Sequence, residues 1–280
     1  MDLEALRQVP DALARARQAG EAQETVQSLS VELSRIRREA IEELLLKDGV
    51  TKASVAQQLG MTRGRVGQLV ASGPPPERLF FGDGRIAVAM GAKFEAEKDN
   101  PGQVLAREDM ITFTRLQSLV KSLQLDAEPE LVPPPGIISL NRENLVVICG
   151  PRLSPILYQI LESDPHLGFC KDEQGWYLQD KDAGKAYRSP QDSGEPGDIA
   201  YFGRLPRPDG RGYFLYMAGI HAAGPAGVIH YLENALPSLY RQVKRKRFSV
   251  LVSSTFDPAS GEVLNSKLVS PVYLHDGRQS

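Results

Sequence analysis

Leu145-Val146-Val147-Ile148-Cys149-Gly150-Pro151-Arg152-Leu153-Ser154 is the stretch that decides the fold of the larger part of the chain. Four consecutive aliphatic residues leave no polar face, so they read as a strand covered on both sides, the habit of a central strand in a parallel sheet. The Gly-Pro pair stops the strand, and Ile156, Ile160 and Leu161 follow in a helical pattern. A strand, a glycine turn and a helix are the repeating unit of α/β domains.

The same alternation extends in both directions. Upstream, Arg85 to Met90 is a short apolar run ending at Gly91, and residues 106–124 read as a helix with Met110, Phe113, Leu116, Val120 and Leu123 on one face. Pro133-Pro134-Pro135-Gly136 is a loop. Downstream, the polar segment 164–196 reads as one or two hairpin strands around Phe169 and Trp176-Tyr177-Leu178, then a mobile loop. Ile199–Phe202 and Tyr213–Met217 read as strands joined by Pro208-Asp209-Gly210, a turn signal. A helix is expected after Gly219–Gly227 through about 242, then a strand at Phe248–Val252 and a last one around Val269–Leu274. The expected fold class is α/β: a Rossmann-like domain over 85–280 with a mostly parallel sheet, joined to an N-terminal all-α domain over 1–73. Ser72-Gly73-Pro74-Pro75-Pro76 opens a connector over 74–84, because three prolines in a row cannot continue a helix.

Residues 1–48 read as a short helix and a longer one. In the longer one Val26, Leu29, Leu33, Ile36 and Ala40 recur at three- and four-residue steps, a narrow apolar seam suited to another helix. Beyond it, Thr51-Lys52-Ala53-Ser54-Val55-Ala56-Gln57-Gln58-Leu59-Gly60-Met61-Thr62-Arg63-Gly64-Arg65-Val66-Gly67-Gln68-Leu69-Val70 has the landmarks of a helix-turn-helix. Thr51 and Thr62 can cap the two helices. Val55, Ala56 and Leu59 give one apolar face, and Val66, Leu69 and Val70 the other. Gly60 ends the first helix, and Met61 plugs the turn. Arg63, Gly64, Arg65, Gly67 and Gln68 are left facing outward. Between Gly49 and Gly73 there are three basic residues and no acidic ones, although the whole chain carries a net charge of -2. That local balance favours phosphate.

The stretch from Met61 to Leu69 resembles the recognition helix of region 4 of bacterial sigma factors. The resemblance covers about 25 residues, departs from the family pattern at Gly64 and Gly67, and implies that Thr62, Arg63, Gly64, Gly67 and Gln68 are DNA-facing positions. With Thr51, Lys52 and Arg65 added from the charge pattern, these are the candidate contacts to double-stranded DNA. One such module makes few contacts, so a homodimer over paired half-sites is expected.

In the α/β domain the candidate ligand site lies where strands end in glycine, since anions bind beyond the carboxyl ends of parallel strands. Its residues are Gly91 and Lys93 after the first strand, Gly150, Pro151, Arg152 and Ser154 after the central one, and Gly219, His221 and Gly224 after a later one. Arg152 supplies a bidentate anion partner, and His221 and Ser154 can hydrogen-bond a sugar or base. A nucleotide or another small anionic effector is the expected ligand. Gly219-x4-Gly224 has the spacing of a P-loop, but Pro225 stands where its lysine belongs.

Catalysis has weaker grounds. Cys149 with His221, or Glu95 with Glu97, could be arranged as a nucleophile and base or a carboxylate pair, yet a buried packing cysteine and a solvated loop explain them as well. Lys244-Arg245-Lys246-Arg247 reads as positive charge at a helix C-terminus or a second phosphate contact. Two cysteines exclude a disulfide framework, four scattered histidines show no metal-ligand spacing, and no apolar run has membrane-spanning length. These readings converge on a cytoplasmic DNA-binding transcriptional regulator with a ligand-sensing α/β domain. A nucleotide-processing enzyme localised by its helix-turn-helix, or an interaction module for RNA polymerase, are the alternatives.

Overall fold

The computed structural model describes residues 3–45, 47, 49–71, 75–96 and 98–275, so Ser72, Gly73 and Pro74 of the connector and Glu97 of the carboxylate pair lie outside the described residues. The chain divides into two compact units, Met1–Pro76 and Glu77–Ser280.

The first unit is helical: α1 (Leu3–Arg7), α2 (Ala12–Leu45), α3 (Lys52–Gln58) and α4 (Arg63–Ala71). The starts of α2, α3 and α4 each have a local cause. The Asp11 carboxylate accepts from the Ala14 N–H at 3.0 Å before α2. Thr51 and Ser54 form a reciprocal capping box at α3. Thr62 Oγ1 accepts from the Arg65 N–H at 3.1 Å at α4. Between α3 and α4 Gly60 takes φ +63°, the left-handed turn that favours glycine. Val55, Ala56 and Val66 are buried with Ile41 of α2, flanked by Leu44, Met61, Leu69 and Val70. Leu59 differs from expectation: it is the C-cap of α3 and stays exposed, because the core is completed by Ile41 and Leu44 of α2 instead. The far stretch of α2 is unpartnered, with Val26, Leu29, Leu33 and Ile36 between 48% and 65% exposed.

The second unit contains, in order, β1 (Arg85–Gly91), β2 (Lys93–Phe94), β3 (Gln103–Val104), α5 (Arg107–Ser122), β4 (Asp126–Val132), β5 (Leu145–Ile148), α6 (Pro155–Glu162), β6 (Leu167–Asp172), β7 (Gly175–Asp180), β8 (Lys185–Tyr187), β9 (Gly197–Pro206), β10 (Tyr213–Gly219), α7 (Gly224–Val243), β11 (Arg247–Phe256), β12 (Val263–Leu268) and β13 (Tyr273–His275). The large sheet runs β12-β11-β9-β10-β5-β1-β4, with β13 also on β11. Its central part, β10-β5-β1-β4, is parallel. The β9–β10 hairpin, turned at Asp209-Gly210, then adds β9, β11 and β12 antiparallel.

The strand periodicity of two sorts the core into two layers. From β5, Val146 and Ile148 face the layer with Phe113, Leu116 and Val120 of α5 and Val228, Leu232 and Leu236 of α7. Leu145 and Val147 face the other, with Leu157 and Leu161 of α6 and Leu167, Phe169 and Leu178 of the β6-β7-β8 sheet. Each such fully buried aliphatic side chain stabilises the fold by about 1.5–3 kcal/mol. An all-apolar β5 is thus what a strand with helices on one side and a second sheet on the other requires.

Several details depart from the sequence reading. Met110 is 43% exposed, because the buried stripe of α5 is Asp109, Thr112, Phe113, Leu116 and Val120. Ile156 is exposed and Leu157 takes its place in the core. The segment expected as a loop after Leu178 holds β8 and a short 3-10 helix, Pro190–Ser193. β4 has a charged sequence with Pro129 inside it, tolerated because β4 is the sheet edge. Residues 79–81, expected in the connector, are buried, and Phe80 and Phe81 belong to the core of the second unit.

Phe80 is held by a buried cation. Arg204 of β9 donates to the carbonyls of Lys244 and Lys246, each at 2.8 Å, and to that of Phe80 at 3.0 Å, while its guanidinium stands over the Phe80 and Phe248 rings. Burial pulls its pKa down to about 10, so it stays charged at neutral pH. The basic run at 244–247 therefore owes its backbone shape to this clamp, following the C-terminal end of α7. Among the described residues no helix is long and apolar enough to cross a membrane.

Candidate functional sites

On the first unit, Thr51, Lys52, Thr62, Arg63, Gly64, Arg65 and Gln68 are all exposed and Gly67 is half-buried, so the structure gathers the candidate DNA contacts on the α3–α4 corner. Lys52, Arg63 and Arg65 make no ion pair among the described residues. In neighbouring α2, Arg35 lies 3.9 Å from Glu39 and Arg38 3.6 Å from Glu42. Among the described residues, the positive charge of the corner is not neutralised by an ion pair.

On the second unit a cavity of about 280 Å³ opens at the carboxyl ends of the parallel strands. Of the nine expected ligand residues, Lys93, Gly150, Arg152, Gly219 and His221 line it, joined by Ala106, Asp109, Cys149, Ala222 and Pro225. Gly91 and Pro151 are buried behind the rim rather than lining it. Ser154 is buried, and its Oγ has no partner. Gly224 does not line the cavity but shapes it. A Cβ there would stand 2.5 Å from the Gly219 Cα and 2.7 Å from Asp198 Oδ2, and a Cβ on Gly219 would meet the His221 carbonyl at 2.1 Å. The two glycines are what allow α7 to start against the end of β10.

Two features of the cavity wall favour an anion. Neither α5 nor α7 has a side-chain cap: their N-cap residues are Ala106 and Ala223, and Ala106 and Pro225 are in the wall. Orphan N–H groups at such termini attract anions. Lys93 and Arg152 add whole charges, and neither makes a hydrogen bond or ion pair among the described residues. His221 is held by two acids: its ring Nε2 lies 2.7 Å from Asp192 Oδ1, and its backbone N–H donates to Asp198 Oδ2 at 3.0 Å. Asp198 also accepts from the Ile199 N–H at 2.8 Å. Burial raises its pKa to about 6 even so.

Asp109 is the residue the sequence reading missed. It occupies the first turn of α5, is 8% exposed, and makes no hydrogen bond or ion pair among the described residues. Burial raises its pKa to about 6, opposed by Lys93 and reinforced by Glu108. The signal was its phase: Asp109, Phe113, Leu116 and Val120 are spaced four, three and four apart, which puts a carboxylate on the buried stripe. Its raised pKa carries a stability consequence. The native carboxyl holds its proton up to about pH 6, whereas an unfolded one releases it near 4, so rising pH destabilises the fold across that window and has no further effect above it. Asp109→Asn is expected to raise stability at pH 7.5 by on the order of 2 kcal/mol and to change little at pH 4.5. Urea denaturation at the two pH values checks this; an equal effect at both would mean the carboxylate is not desolvated.

The Cys149–His221 arrangement fails on geometry, and of the Glu95–Glu97 pair only Glu95 is among the described residues. Burial, with Asp109 adding to it, raises the Cys149 pKa to about 12, and His221 Nε2 faces Asp192, so Cys149 is a protonated packing residue. Glu95 is occupied by Lys98 at 2.7 Å and the Gly102 N–H at 3.0 Å. A third grouping, Ser249, His275 and Asp164, carries the residue types of a hydrolase triad. Its His275 Nε2 faces both Ser249 Oγ at 2.9 Å and Asp164 Oδ1 at 3.7 Å, and Ser249 and Asp164 are wholly buried. One nitrogen cannot serve both partners in a proton relay, and no substrate reaches the hydroxyl. No family model, curated protein or solved structure matches this chain.

Proposed function

We propose that the chain is a homodimeric, cytoplasmic DNA-binding transcriptional regulator whose α/β domain binds a small anionic ligand, a nucleotide being the leading class. The observation that carries the reading is the exposed α3–α4 corner, where Lys52, Arg63 and Arg65, without an ion pair among the described residues, surround Thr62, Gly64, Gly67 and Gln68. The likeness of this corner to the sigma-factor recognition helix supports the same reading. A helix entering the major groove needs such an outward face, with phosphate contacts flanking base contacts.

The unpartnered seam of α2 supports the dimer, and a second copy of α2 is its natural cover. With Val26 and Leu33 as a positions and Leu29 and Ile36 as d positions, Glu32 falls at g and Arg37 at e. A parallel pair then sets Glu32 of each copy against Arg37 of the other, whereas an antiparallel pair sets Glu32 against itself. The parallel arrangement also brings both α3–α4 corners to the same end of the coil. The cleft of the second unit, with Lys93, Arg152 and two uncapped helix starts, supports the effector, which acts on DNA binding only through unequal affinity for two arrangements of the protein.

The test is fluorescence anisotropy with duplex DNA across a salt series. Affinity is expected to fall steeply with salt, and each of Lys52→Ala, Arg63→Ala and Arg65→Ala to reduce the log–log slope by about 0.9. Binding that ignores salt, or survives the triple substitution intact, would remove DNA from the proposal.

A further inference from the structure

The cleft holds a contradiction for a simple anion. Lys93, Arg152 and the uncapped starts of α5 and α7 favour negative charge, yet Asp109 is in the same wall, 8% exposed, with no protein hydrogen-bond partner among the described residues. A bare phosphate gains from the cations and is repelled by the carboxylate. The Asp109 oxygens meet solvent only through the cavity, and a ligand that displaces that solvent must bring donors of its own to replace the lost hydration. The complementary molecule therefore has an anionic end and, a few bonds away, hydroxyl donors that a carboxylate can accept in pairs.

Resting on the reading of this cleft as an anion site, we infer that its ligand is a ribose phosphate, free or as the core of a mononucleotide, with Asp109 accepting hydrogen bonds from the sugar hydroxyls and Arg152 and Lys93 holding the phosphate. The volume agrees: about 280 Å³ lies just under the range of roughly 300–1,000 Å³ for drug-sized ligands, which suits one phosphorylated sugar and leaves no room for a dinucleotide. Asp198, the other acid whose pKa is raised there, is already satisfied by two backbone N–H groups, so it has no comparable demand for a ligand donor. Carboxylate recognition of ribose hydroxyls beside a helix N-terminus that takes phosphate is an established physical pairing in α/β sheets.

Calorimetric titration of the full chain with ribose 5-phosphate, 2-deoxyribose 5-phosphate and inorganic phosphate separates the two levels of the argument. Ribose 5-phosphate is expected to bind at least about tenfold tighter than either of the others, the equivalent of one hydrogen bond to a buried charged group. Asp109→Asn, isosteric and still folded by circular dichroism, is expected to erase that preference and to tighten inorganic phosphate. Arg152→Ala is expected to weaken all three. If the three probes bind equally and Asp109→Asn leaves them so, the anion site stands and the sugar-reading role of Asp109 is wrong. If none binds the wild-type protein, the anion reading itself falls, and the ribose phosphate with it.

Discussion

Replacing Leu29 and Leu33 together by glutamate is expected to turn the protein into a monomer and to weaken its binding to a two-half-site duplex by at least about 100-fold, the low end of what linked sites contribute. Both leucines are more than half exposed in a single chain. The substitution therefore leaves the Ile41–Val55–Ala56–Val66 core intact, and helix content should not change. In the proposed dimer the same leucines would form the two central layers, and each buried aliphatic side chain is worth about 1.5–3 kcal/mol. Four glutamates facing one another in their place remove that gain and add repulsion. Analytical ultracentrifugation reads the assembly and anisotropy reads the affinity. Orientation has its own check: Arg37→Glu should weaken the dimer, and adding Glu32→Arg should restore it. A variant that stays dimeric, or a wild type that is already monomeric, would place the pairing surface elsewhere or remove it.

The second large effect concerns Gly224. Its replacement by alanine is expected to destabilise the second unit by about 3 kcal/mol or more, at or above the top of the usual range for overpacking, and to abolish ligand binding in the cleft. The added methyl collides with backbone at Gly219 and with the Asp198 carboxylate, neither of which is a flexible side-chain end. Asp198 cannot retreat without releasing the His221 and Ile199 N–H groups. Gly20 in α2 is the contrasting position. A Cβ there meets nothing within 4 Å, so Gly20→Ala should stabilise by roughly 0.5–1 kcal/mol through helix propensity alone. Urea unfolding of both variants makes the comparison, and tolerance of Gly224→Ala would mean that the β10–α7 junction is looser than its contacts imply.

The fold was legible wherever one physical signal was strong and unopposed. β5 announced itself because burial on both faces permits nothing polar, and the α3–α4 corner because caps, a left-handed glycine and two apolar faces agree with one another. β4 was hidden because an edge strand needs only one half-buried face, so Asp126, Glu128, Pro129 and Glu130 are all acceptable in it. The cleft was readable through the glycines that end β1, β5 and β10, since the chain must turn there. What no glycine marks is Asp109. Apolar periodicity looks for hydrophobic residues, and a carboxylate in a buried stripe is registered as a break in the pattern, so the stripe was drawn through Met110. The acids that orient His221 were equally invisible: Asp192 and His221 are 29 positions apart, and only the folded sheet brings them together.

The Arg204 clamp has a mechanical consequence. Helix α7 begins at the cleft, where Pro225 is part of the wall, and 20 residues later it ends at the turn whose Lys244 carbonyl Arg204 grips. The same guanidinium grips Phe80, close to where the polypeptide enters the second unit. A strut about 30 Å long thus joins the mouth of the cavity to the polypeptide's point of entry. Loss of the Arg204 guanidinium would therefore free the far end of that strut and Phe80 together.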